Sequence, residues 1–166
     1  IKDKEEILHK NWADMNLCVS LGGEQLFCGK ITSLVCKNNY ELWIVELTGN
    51  STTILLDREK KKRSFQNPET TYKQLVEEII KGYNNINFKW SVKDDKKTGT
   101  VLIQYQETDW EFLKRICSHF QEGLIAEIRS EKISFHFGIM NGKKCNYNNS
   151  EILEFGMDSV FYKNGC

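Results

Sequence analysis

The sequence predicts an α+β protein that is mainly β. An antiparallel, barrel-like lobe with a packed helix comes first, and a small α+β lobe follows. Three observations predict this. Between residues 15 and 56, four apolar runs are separated by tight turns, the spacing of an antiparallel meander rolling towards a barrel. Two later stretches, 71–83 and 109–122, each place helical apolar spacing behind a capping box. Further short runs with strand character surround the second helix. The expected organisation is residues 1–85 for the first lobe, with its helix near 71–83. Residues 86–140 form the second lobe, with its helix near 109–122. Residues 141–166 hold a linker and the start of a further strand region.

Residues 1–10 are charged at nearly every position and give little structural signal. Residues 15–20 alternate apolar and polar, as a half-buried strand does. Leu21-Gly22-Gly23-Glu24 supplies hairpin turn chemistry. Residues 25–37 read as a long strand in which Gly29 marks a bulge or bend. Asn38-Asn39 turns the chain, residues 40–47 return, Thr48-Gly49-Asn50 turns again, and 51–56 form a further strand. Residues 57–67 are polar and basic and read as a loop, with Lys60-Lys61-Lys62-Arg63 as a solvated turn. Thr71 with Gln74 three residues on opens a helix in which Tyr72, Leu75, Val76, Ile79, Ile80 and Tyr83 share a face; Gly82 and Asn84-Asn85 end it.

Strands are expected at 86–92 and 100–105, around a charged turn at 94–99. The second strand feeds the most informative stretch, QYQETDWEFLKRICSHFQEG at 104–123. Thr108 and Glu111 form its capping box. Trp110, Leu113, Cys117 and Phe120, widened by Phe112 and Ile116, form its apolar stripe, and Gly123 stands where a C-cap tolerates positive φ. Strands at 124–128 and 132–139 follow, the latter with Ile133, Phe135 and Phe137 opposite Ser134 and His136. Residues 141–149 are polar and read as a linker, and 151–155 begin a new strand.

Charge and chemistry exclude several function classes. The 23 basic and 23 acidic residues balance, which argues against affinity built on phosphate neutralisation. Apolar residues make up 40% and charged residues 28%, ordinary for a globular domain. No apolar run reaches the roughly 18–20 residues that span a bilayer, and the first residues do not have the pattern of a signal peptide. Both ends read as cuts in a longer chain. The six cysteines form no CxxC pair. Cys18, Cys28 and Cys117 sit in apolar patterns, so buried free thiols and a reducing compartment at synthesis are expected. His9, His119 and His136 lie in no metal frame, and there is no phosphate loop or nucleophile elbow. Glu107, Asp109 and Glu111 form the densest acidic cluster. A helix start favours negative charge there, which explains the cluster without catalysis. Trp12, Trp43, Trp90 and Trp110 suggest a sizeable core or an oligomer interface. No catalytic, cofactor-binding or metal-binding residue is assigned.

The 104–123 passage and the hairpin after it resemble a segment of tail-spike hub proteins, the phage late control gene D proteins and the VgrG proteins of type VI secretion. The resemblance rests on Gln104-Tyr105, Glu107-Thr108-Asp109, Trp110, Phe112-Leu113-Arg115, Glu122-Gly123, and Phe135 with Phe137. Upstream, Ser64-Phe65-Gln66 followed by Thr71, Leu75 and Val76 is similar to the family's basic loop and Thr-capped helix. The two passages lie in the family's order and cover about residues 40–140. Leu124-Ile125-Ala126 departs from the more aromatic turn of many hubs. The resemblance implies a non-enzymatic structural hub without cofactor, trimeric in the intact protein, that joins tail tube to spike. It implies tail-tube and spike proteins as partners, with neither nucleic-acid recognition nor a membrane anchor. It also implies assembly in the cytoplasm and incorporation into a phage tail, a tail-like particle or a secretion-system needle. Two other readings stand beside it. One is a cell-wall hydrolase using Glu107 or Asp109. The other is a small-ligand-binding barrel with a pocket lined by Trp43 or Phe27.

Overall fold

The computed structural model describes residues 12, 15–40, 42–138, 152–154 and 160–162. The expected linker at 141–149 lies outside the described residues, as do positions 151 and 155 at the two ends of the strand expected at 151–155. The fold is mainly β with a few short helices, and among the described residues no sheet closes into a barrel.

The first sheet is an open antiparallel meander of β1 (Asn16–Leu21), β2 (Glu24–Asn39) and β3 (Leu42–Ser51). Gly22 and Gly23 take positive φ in the β1–β2 turn, as that turn requires. The bulges fall at Val19/Ser20 and Ile31/Ser33, not at Gly29. Gly29 answers a different need: a Cβ there would overlap the Asn50 carbonyl on the facing strand. Among the described residues this sheet has three strands with β1 and β3 at its edges, so the expected barrel does not form there.

Two further expectations fail just downstream. Residues after Ser51 form a 3-10 helix, Thr52–Asp57, where a strand was expected. Its Leu56 enters the core, and Thr52 donates through Oγ1 to the Lys132 carbonyl at 2.6 Å. The expected basic loop contains β4 (Lys61–Phe65), which pairs antiparallel with β6 (Leu102–Glu107). Alternation makes that possible. Lys62 and Ser64 face out, while Lys61, Arg63 and Phe65 turn inward.

Helix α1 (Tyr72–Ile80) begins at Thr71 with both bonds of the capping box formed. The 94–99 turn closes over its start through Tyr72 N–H to Lys96 O (3.0 Å) and Thr98 N–H to Thr70 O (2.9 Å). Helix α2 (Asp109–Ser118) repeats the capping box at Thr108 and Glu111. It stops five residues before Gly123, and the left-handed residue that follows it is Gln121 (φ 56°). Gly123 instead accepts from Gly138 N–H at 3.0 Å.

The last sheet orders β5 (Ile86–Trp90), β8 (Ile133–Phe137) and β7 (Leu124–Ala126). β5 and β8 run parallel, Phe88 opposite Phe135, an orientation the sequence reading left open. Every residue of β8 is buried, including His136, because it is the central strand of this sheet. A final hairpin pairs β9 (Ile152–Glu154) with β10 (Val160–Tyr162).

One continuous core runs from Leu56 to Phe137. It holds Leu75, Val76 and Ile79 of α1, Phe112, Leu113, Ile116 and Cys117 of α2, and Phe135 and Phe137 of β8. The division expected between residues 85 and 86 falls inside this core. Rings interlock across it: Phe65 stacks on Phe112 (centroids 5.6 Å) and Trp90 on Phe137 (4.6 Å).

Candidate functional site

The chemistry of this chain is concentrated where β4, β6, the end of α1 and the start of α2 meet. Thr108, extended at φ −71° and ψ 166°, caps α2 and leaves Asp109 as its first helical residue. Asp109 points inward and is fully buried. Lys61 Nζ donates to Oδ2 at 2.7 Å, and Tyr83 Oη to the same oxygen at 2.6 Å. Gln104 Nε2 donates to Oδ1 at 3.0 Å, and Arg63 Nη2 pairs with that oxygen too. Arg63 Nε also donates to Gln104 Oε1 at 2.8 Å. Four side chains from three other segments thus converge on one carboxylate. Burial alone would push its pKa up, but the bonds from Lys61, Tyr83 and Gln104 and the Arg63 charge outweigh that and hold it below the ordinary 3.8. For Lys61, burial opposes the charge, yet the bonds to Asp109 and Tyr83 prevail and its pKa is raised.

A second pair supports the first. Glu107 takes a bidentate fork from Arg115, Nε and Nη2 both at 2.8 Å. The Arg115 bond, offset in part by burial, lowers the Glu107 pKa. Arg115 Nη2 also donates to the Ile103 carbonyl at 2.7 Å, tying α2 back to β6. Thr108 Oγ1 reaches Asp57 Oδ1 at 2.5 Å, fastening the 3-10 helix to the same corner.

This geometry decides between the readings of the acidic cluster. A general acid must reach a substrate proton. Asp109 is enclosed and saturated with donors, and Glu107 is occupied by Arg115. The hydrolase reading therefore loses its residues. The ligand-barrel reading fails with the barrel: Trp43 lies on an open sheet and is 43% exposed.

The other singled-out residues divide by environment. Leu75, Phe112 and Leu113 are core. Phe65 and Trp110 are half-buried against it, Trp110 edge-on to Phe135 at 5.9 Å. Thr71 and Thr108 are caps. Ser64, Gln66 and Gly123 are exposed, as is Tyr105, with Lys62 Nζ over its ring at 5.3 Å from the centroid. Tyr72 Oη bonds His119 Nδ1 at 2.8 Å. His136 Nε2 lies 3.8 Å from Glu127, and its buried Nδ1 has no partner among the described residues.

Sequence reasoning missed Lys61, Arg63 and Tyr83 as partners of Asp109. Their alternate spacing in β4 was the available signal. It also missed a cysteine pairing. Cys18 and Cys28 stand opposite one another in the β1–β2 register and are disulfide-bonded, with Cα atoms 4.1 Å apart. The expectation of buried free thiols fails for this pair and holds for Cys117. The Gly22-Gly23 turn placed the two cysteines face to face, which sequence spacing alone did not reveal.

Paired charges and bonds between separate elements make this corner a structural joint. The family model for the phage tail baseplate hub (GPD) matches residues 2–132, and the chain belongs to that family. It is a structural component of the phage tail baseplate, not an enzyme. No curated protein matches the chain. Among the described residues, no helix is long and apolar enough to cross a membrane.

Proposed function

We propose that this chain is part of a homotrimeric hub that joins the end of a tail tube to the spike, with tube and spike proteins as its direct partners. One observation carries this reading: an apolar β-arm stands beside a core that is complete without it. β2 has 16 residues and spans roughly 50 Å at strand rise. On the β2–β3 arm Val35, Leu42, Ile44 and Leu47 are all exposed, Leu42 at 72%. Exposed apolar residues grouped beside free strand edges suit an assembly interface. Gln104, Tyr105, Glu107, Thr108, Asp109 and Arg115, together with the β4 and α1 residues Ser64, Phe65, Gln66, Thr71 and Leu75, serve in this reading to keep the body rigid under load. Light scattering on the full-length protein tests it. A trimer is expected, with Leu42→Ser plus Ile44→Ser lowering the trimer fraction while the thermal transition of the body is kept. A monomer at high concentration overturns the reading.

A further inference from the structure

We propose that Cys18, Cys28 and Glu131 form a redox-gated site for a borderline-soft divalent cation of the zinc type, at the joint between the β-arm and the body. Each residue offers one ligand atom, and the three atoms lie within 4.8 Å of one another. Ligands on one tetrahedral zinc stand roughly 3.5–4 Å apart, given bond lengths of about 2.0–2.3 Å. Small side-chain rotations therefore suffice once the sulfurs are free. Two thiolates with one carboxylate, leaving a fourth position for water, suit zinc better than the hard cations, which prefer all-oxygen sets.

The carboxylate comes from far along the chain, but its loop is held in place. Cys28 N–H donates to the Ile128 carbonyl at 2.7 Å, and Gln25 Nε2 to the Arg129 carbonyl at 3.0 Å. Arg129 Nη1 pairs with Glu24 at 3.1 Å, and Thr52 Oγ1 grips the Lys132 carbonyl. Glu131 thus sits on a loop bonded on both sides to the arm's base and to the 3-10 helix. Cys18 and Glu131 are exposed, so an ion has a path in.

The two oxidation states do different mechanical work. In the disulfide, β1 is stapled to β2 and no thiolate is available. Two equivalents of a small thiol reduce that bond, leaving as their own disulfide, and give the two cysteine thiols. Binding of the cation then releases two protons to solvent and forms two metal–sulfur bonds. The metal form ties β1, β2 and the body loop together, whereas the disulfide ties only the two strands.

Cobalt(II) is the probe, added to the full chain reduced with a phosphine so that no added thiol competes. One ion per chain is expected, with thiolate-to-cobalt charge-transfer absorption. The oxidised chain is expected to lack that band. Cys18→Ser, at an exposed position, should abolish it, which also separates this site from the remaining cysteines. Glu131→Gln should retain the fold by circular dichroism and weaken binding at least about tenfold. The proposal is overturned if the reduced chain shows no such band, if Cys18→Ser keeps it, or if Glu131→Gln binds as tightly as the parent. None of these outcomes bears on the hub reading.

Discussion

Residues 16–51 and residues 52–138 differ in what their apolar side chains touch. In the body, Phe112, Leu113, Ile116, Phe135 and Phe137 are buried among one another, and the buried Asp109 beside them is paired with Lys61 and Gln104. In the arm, Leu21, Leu42 and Ile44 face outward, and among the described arm residues only Cys28 and Ile31 are buried apolar side chains. The body satisfies itself, as an independently stable fold must. The arm leaves its apolar side chains at the surface, which is what the proposed hub interface rests on. The difference separates the part of the described chain that packs on itself from the part that does not.

The largest test of that contrast sets one substitution in each region side by side. Phe112→Ala should cost about 4 kcal/mol, since it opens a cavity in a core that cannot collapse onto it. Leu42→Ala in the arm should change monomer stability by less than about 0.5 kcal/mol. Urea unfolding of both measures the gap, and equal costs would erase the distinction between body and arm.

Asp109→Ala should rank next, at about 3 kcal/mol, because it leaves Lys61 and Arg63 facing each other without their anion. The figure sits at the low end for a broken buried pair, since those cations are 26% and 31% exposed and can regain water. The same carboxylate sets an acid limit. The folded pKa values of Asp109 and Glu107 lie below their ordinary 3.8 and 4.5. Their stabilisation is therefore present above the unfolded values and is lost as pH falls through the folded ones. Denaturation midpoints followed from about pH 5 downwards should drop, and Asp109→Asn should flatten the fall. An unchanged slope would remove Asp109 from the account.

The smallest effects belong to the caps. Thr71→Ala should cost about 1 kcal/mol. Thr108→Ala should cost somewhat more, because it also breaks the 2.5 Å bond to Asp57. Chemical denaturation resolves the order, and the reverse ranking would mean that the Asp57 bond contributes nothing.

Both helices were legible in the sequence because their signals are local. A capping box spans four residues, and an apolar stripe repeats within two turns, so Thr71, Thr108 and the faces behind them can be read without a partner. The acidic start of α2 was legible as a structural feature, but its partners were not. Lys61 and Arg63 look like surface charge until β4 pairs with β6 and turns every second residue towards Asp109. The 3-10 helix was misread because Ile54, Leu55 and Leu56 resemble a strand in isolation.

The sequence by itself determined the elements whose hydrogen bonds close within a few residues: the two capped helices, the Gly22-Gly23 hairpin and most strand positions. Tertiary structure alone decided what depends on distant pairing. That includes the open meander in place of a barrel, the parallel alignment of β5 with β8, the Cys18–Cys28 bond and the burial of Asp109. The physical reason is that alternation fixes which face a strand presents, but not which strand it meets. Only the meeting decides whether a lysine is solvated or bonds a buried carboxylate.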